Sequence, residues 1–169
     1  DMDATLKKLI DNLVNHLQDL RDLYDQLMQA ARNKHRTMRE GDIDGMESWS
    51  AREQFLAEQI SVIEALRKEH TRQIAEWMGF EKTPKVTILA QKMDEPYRSR
   101  LLALAGAVRN NAKNAYQINQ VNDAVTQEIL SCFAQVQRRI ASEHCDIGLY
   151  DYTGQKRMTN NVNLLDAVG

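Results

Sequence analysis

Leu6, Leu13, Leu20 and Leu27 stand seven residues apart, and Ile10, Leu17, Tyr24, Ala31 and Met38 form a second series of the same period, offset by four. Alternating steps of four and three keep both series on one side of an α-helix and define a packing seam. Leu9, Leu23 and Met28 widen it, which suits a helix facing two neighbours rather than one. The pattern predicts a helix over about 3–39 that is stable only when other helices cover its apolar side.

The continuation supplies those helices. "REGDIDGM" ends the first one: Gly41 suits the left-handed position after a helix, and Asp42 or Asp44 can cap the next. So short a connection makes the two helices antiparallel neighbours. The second, over about 46–78, carries Trp49, Leu56, Ile60, Ile63, Leu66, His70, Ile74 and Trp77 on one broad face and closes at Gly79. "FEKTPKV" reads as a loop, and "VTILAQKM" as one or two turns of helix. "MDEPYRS" then opens a third long helix, with Asp94 as cap and Pro96 in the first turn. Its seam runs through Tyr97, Leu101, Leu104, Val108, Ala115, Ile118, Val125, Ile129, Cys132, Val136 and Ile140, giving a helix over about 94–142. After Cys145 no period is sustained.

The expected fold is therefore all-α: an elongated antiparallel three-helix bundle or coiled coil, with an overhanging third helix and a partly mobile C-terminal tail. In domain terms the bundle occupies 1–145 and the tail 146–169.

Charge and cysteine content narrow the function. A net charge of −2 with dispersed basic residues argues against nucleic acid as a partner. Cys132 and Cys145 form neither a CxxC pair nor a disulfide framework, and read as reduced thiols. No apolar run reaches the ~20 residues that a membrane span needs, and no signal peptide is visible in the given sequence. A cytoplasmic location is expected.

Catalytic patterns are missing. No Glu precedes any of His16, His35, His70 or His144 by three residues, as a di-iron bundle would require. "EHCD" at 143–146 offers ligand types, but adjacent helix residues diverge and no second cluster joins them. Glycine loops for phosphate and nucleophile elbows are lacking too. We read a non-enzyme with no metal, no cofactor and no small-molecule substrate.

Two asparagines, Asn119 and Asn122, interrupt the third helix within "AYQINQVNDAV". Running the third helix parallel to the first, with Asp94 level with Leu6, brings Asn122 level with about Lys34, which interrupts the first seam. A polar layer of Asn122 and Lys34 is expected, fixing register at some cost in stability. Asn119, to the side, is expected to reach the "GDIDG" turn. The same alignment leaves Ile129, Leu130, Cys132, Phe133, Val136 and Ile140 beyond that turn, as an uncovered apolar stripe. Three occupants remain open: a partner protein, the chain's own tail through Leu149 and "VNLLDAV", or a second copy forming a homodimer.

The order of these pieces resembles the FlgN-type flagellar export chaperones. The carrying motifs are the turn from Gly41 through Met46, Asn119 with Asn122, and Tyr150 with Gly154 in "LYDYTGQ", across about residues 5–155. Gly45 and Met46 depart from the family pattern, where a bulkier residue and a leucine are usual, and "FEKTPKVTILAQKM" matches loosely. The resemblance implies a cytoplasmic chaperone that binds the C-terminal part of hook–filament junction proteins. It would keep these clients unpolymerised and escort them to the flagellar export gate at the membrane. It also implies client binding along Ile118, Val125, Ile129, Cys132, Phe133, Val136 and Ile140, and gate docking through Tyr150. The alternative from another class is a structural coiled-coil protein that self-associates through the third helix.

Overall fold

The computed structural model describes residues 4–147, with side chains from Ala4 to Ser142. Four helices follow in order: α1 Ala4–Glu40, α2 Ile43–Trp77, α3 Val86–Gln91 and α4 Tyr97–Ile147. The fold is all-α, as the heptad pattern predicts. The chain separates into two compact units, one ending at Asp123 and the other beginning at Ala124.

In the first unit the heptad residues of α1 do what their spacing dictates. Leu6, Ile10, Leu13, Leu17 and Leu20 are buried, and Ala31 and Met38 continue the seam. Leu6, Ile10, Leu13 and Leu17 pack with Ile74 and Ala75 of α2, Val86, Leu89 and Ala90 of α3, and Leu101 and Leu104 of α4. Each fully buried aliphatic side chain contributes about 1.5–3 kcal/mol relative to exposure. The short α3 therefore belongs to the core: its first residue and its last turn fill the space between the long helices.

The first two of the three connections are set by glycine. Gly41 has φ +70° and Gly79 φ +78°, the left-handed region where a side chain is disfavoured. At each, two backbone bonds close a Schellman turn: Gly41 N–H to Met38 O with Asp42 N–H to Thr37 O, and Gly79 N–H to Glu76 O with Phe80 N–H to Ala75 O. Asp42 then caps α2, its Oδ1 accepting from Gly45 N–H at 2.9 Å. Gly45 has its own reason to be small: a Cβ there would lie 2.2 Å from the Asp42 carboxylate and 2.7 Å from the Thr37 methyl.

Some expectations need correction. α2 begins at Ile43 rather than 46, and α4 begins at Tyr97 rather than 94. At the head of α4 it is Glu95, not Asp94, whose carboxylate accepts from Ser99 N–H, at 3.3 Å; the Ser99 side chain first, and then this backbone bond, lower the Glu95 pKa. Leu66 and Trp77, assigned by periodicity to the packed face of α2, are 41% and 50% exposed. On either side of Gly79, Met78 and Phe80 pack, partly buried, against the core.

A histidine pair joins α1 to α2. The rings of His16 and His70 lie 4.9 Å apart, tilted. His70 Nδ1 donates to Leu66 O at 2.9 Å, which leaves Nε2 to accept from Asn12 Nδ2 at 3.3 Å. Burial pushes the His16 pKa below the ordinary histidine value; His70 adds to this and Asp19 opposes it.

Candidate functional site

Asparagine, more than leucine, sets the register of α4 on α1. Asn111 Nδ2 donates to Arg21 O at 3.2 Å and Asn122 Nδ2 to Ala31 O at 2.9 Å. Both residues and both acceptors advance in the same direction, so this part of α4 runs parallel to α1. Asn122 is 0% exposed, and its Oδ1 accepts from His35 Nδ1 at 2.9 Å. The expected neighbour, Lys34, sits in the same turn of α1 but bonds Glu53 of α2 instead. That pair is partly buried, with side chains 15% and 12% exposed. Asn119 makes no bond to the Gly41–Gly45 turn among the described residues; its Oδ1 is buried without a partner. The amides of Gly41, Asp42, Gly45 and Met46 are bonded to Met38, Thr37 and Asp42 instead.

Asn111 and His35 escaped the sequence reading. The one signal for Asn111 is its distance of eleven residues from Asn122, three helical turns, which places both on one face. No pattern announces His35, because its partner lies 87 residues away.

Along α4 the positions 118, 122, 125, 129, 132, 136 and 140 recur in steps of four and three, so they share a face. Within the first unit that face is occupied: Ala115 and Asn122 are buried, and Ile118 is half-buried beside a hollow it lines with Arg32, His35 and Val121. In the second unit Val125 and Ile129 are half-buried, and every residue from Ser131 to Ser142 is exposed. Phe133 is 62% exposed, Val136 52% and Ile140 50%, with Leu130 beside them at 57%. Ile129, Cys132, Phe133 and Val136, with Glu128, line one shallow depression whose exposed surface is apolar. Clustered large apolar side chains in water are the usual mark of an interaction surface.

Tyr150, Leu149 and the segment "VNLLDAV" lie outside the described residues, as do the side chains of "EHCD". Among the described residues no helix is long and apolar enough to cross a membrane, and no cluster of ligand-type side chains is arranged for a metal.

The sequence model of one family, described as FlgN protein, matches residues 2–157. The chain belongs to the FlgN family. No curated protein and no solved structure matches it. FlgN proteins are chaperones of flagellum assembly, and that role, broadly stated, passes to this chain with the family.

Proposed function

We propose that this FlgN-family chain is a cytoplasmic export chaperone that binds the C-terminal segments of hook–filament junction proteins along α4. It keeps them from polymerising and delivers them to the flagellar export gate. Ile118, Val125, Ile129, Cys132, Phe133, Val136 and Ile140 form the client face, and Tyr150 docks to the gate. Asn122 and Lys34 serve the frame rather than the client.

The observation that carries this reading is the exposure of Phe133, Val136 and Ile140 at helical spacing on one face. An amphipathic client helix lays its apolar side on such a stripe, with anchors at intervals of three and four. A client that orders as it binds gives up affinity to entropy, which suits a carrier that must release its cargo.

Calorimetric titration with the C-terminal segment of a junction protein from the same organism tests the proposal. The control is Phe133→Asp with unchanged helical circular dichroism. Saturable binding that the variant loses supports the assignment. Binding that survives the substitution moves the client site off the stripe. No binding, together with a dimer in sedimentation that Phe133→Asp dissociates, replaces the proposal with self-association through α4.

A further inference from the structure

A second surface lies wholly within the first unit, away from the stripe. Two hollows, of about 320 and 260 Å³, share Arg67 and Lys85 in their walls and so form one groove. Its rim is basic. Arg67 and Lys68 come from α2, Lys85 from the residue before α3, and Arg109 from α4. The single carboxylate in the walls is Glu64, already engaged by Arg67 through Nε at 2.9 Å and Nη2 at 2.8 Å. Among the described residues no carboxylate pairs with Lys68, Lys85 or Arg109. On a chain of net charge −2, four cations around one bound carboxylate is a marked local excess.

The floor is not basic. Leu17, Val86 and Val108 line it, Leu17 and Val86 almost wholly buried and Val108 partly exposed, and Tyr24 joins them close enough to Glu64 and Arg67 to feel both charges. Burial, and then Glu64, raise the Tyr24 pKa, and Arg67 opposes them. Thr83 and Thr87 add hydroxyls along the rim.

We propose that this groove binds an acidic, apolar-containing peptide segment of a partner protein, with carboxylates at Lys85 and Arg109 and aliphatic side chains on the Leu17–Val86–Val108 floor. Charge complementarity selects the ligand's sign, and the floor selects for apolar side chains between the acids. A nucleic acid fits less well. Its phosphates repeat along its length and need a continuous basic face, whereas the rest of this chain is acidic on balance. The groove is independent of the α4 stripe, so it stands or falls apart from the client assignment.

The probe is a short fluorescein-labelled peptide of alternating glutamate and leucine, followed by anisotropy, with lysine replacing glutamate in the control peptide. The full chain is compared with the double variant Lys85→Glu, Arg109→Glu, both positions being exposed. We expect saturable binding of the acidic peptide alone, weakening with added salt. Reversal of two rim charges should weaken it about tenfold, because each reversal removes one exposed pair and adds one repulsion. Phe133→Asp should leave it unchanged. Absence of saturable binding, equal binding of both peptides, or indifference to the double reversal overturns the proposal. So does a single-stranded oligonucleotide that displaces the peptide and shows the same dependence on Lys85 and Arg109, because the groove would then read phosphate. Should the double variant lose helical content, Lys85→Gln alone reports the same loss in smaller measure.

Discussion

Asn122 donates to the carbonyl of Ala31 at 2.9 Å from a position with no solvent exposure. The bond spans 91 residues and fixes α4 against α1 at a level where leucines alone would allow sliding. Ala31 O also faces its own helix, so the asparagine takes up a second lone pair rather than rescuing an orphan. The consequence is specificity more than strength.

Asn122→Ala should therefore lower stability by about 1–3 kcal/mol, because it strips a buried bond and leaves His35 Nδ1 without its acceptor. Asn111→Ala, at a half-buried site with a longer bond, should cost less. Urea unfolding of the two variants checks the order. Equal costs would show that burial does not set the strength of these contacts.

Lys34 and Glu53 should behave as a coupled pair. Removing either charge strands the other in a poorly solvated place, and each single alanine should cost about 1–3 kcal/mol. Lys34→Ala with Glu53→Ala together should cost less than the two singles summed. A double-mutant cycle gives the coupling, and strict additivity would mean that the pair contributes nothing.

Acid should weaken the fold through His16. Its folded pKa lies below the ordinary 6.5, so the neutral form is favoured in the folded state. Stability from this site is complete above about 6.5 and falls as the pH drops from there through the lowered folded value, since the unfolded chain binds the proton first. Urea midpoints at pH 7.5 and 5.5 should differ more for the native chain than for His16→Gln. A variant with the same pH slope would remove His16 as the cause.

Gly45→Ala should destabilise by about 1 kcal/mol, the usual scale for a lost helix cap. The added methyl meets the Asp42 carboxylate that caps α2 and the Thr37 side chain. A matched Gly106→Ala change, where a Cβ meets nothing within 4 Å, should be neutral or stabilising. Thermal unfolding separates the two.

Phe133→Ser should change stability by no more than about 0.5 kcal/mol, as an exposed substitution does. Leu13→Ala, at a site with no exposure, should cost about 2–5 kcal/mol. A large loss at Phe133 would mean that something in the chain covers it.

The helices of this protein were written into local sequence. Heptad leucines, two glycines at helix ends and an aspartate after Gly41 act within a few residues of where they stand, so their effect needs no knowledge of the fold. Antiparallel α1 and α2 follow from the shortness of the Gly41–Asp42 link. The family, too, was readable from motifs in order. Tertiary structure decided what depends on residues far apart. It gave Asn122 to Ala31 and His35, sent Lys34 to Glu53, and left Asn119 without the turn it was expected to hold. It also packed Phe80 on the core while leaving Trp77 half exposed, and it gathered Arg67, Lys68, Lys85 and Arg109 around one groove. Periodicity names the face of a helix, but only packing determines which stretch of that face is covered. A long-range hydrogen bond depends on two faces meeting at one level, and no single segment carries that information.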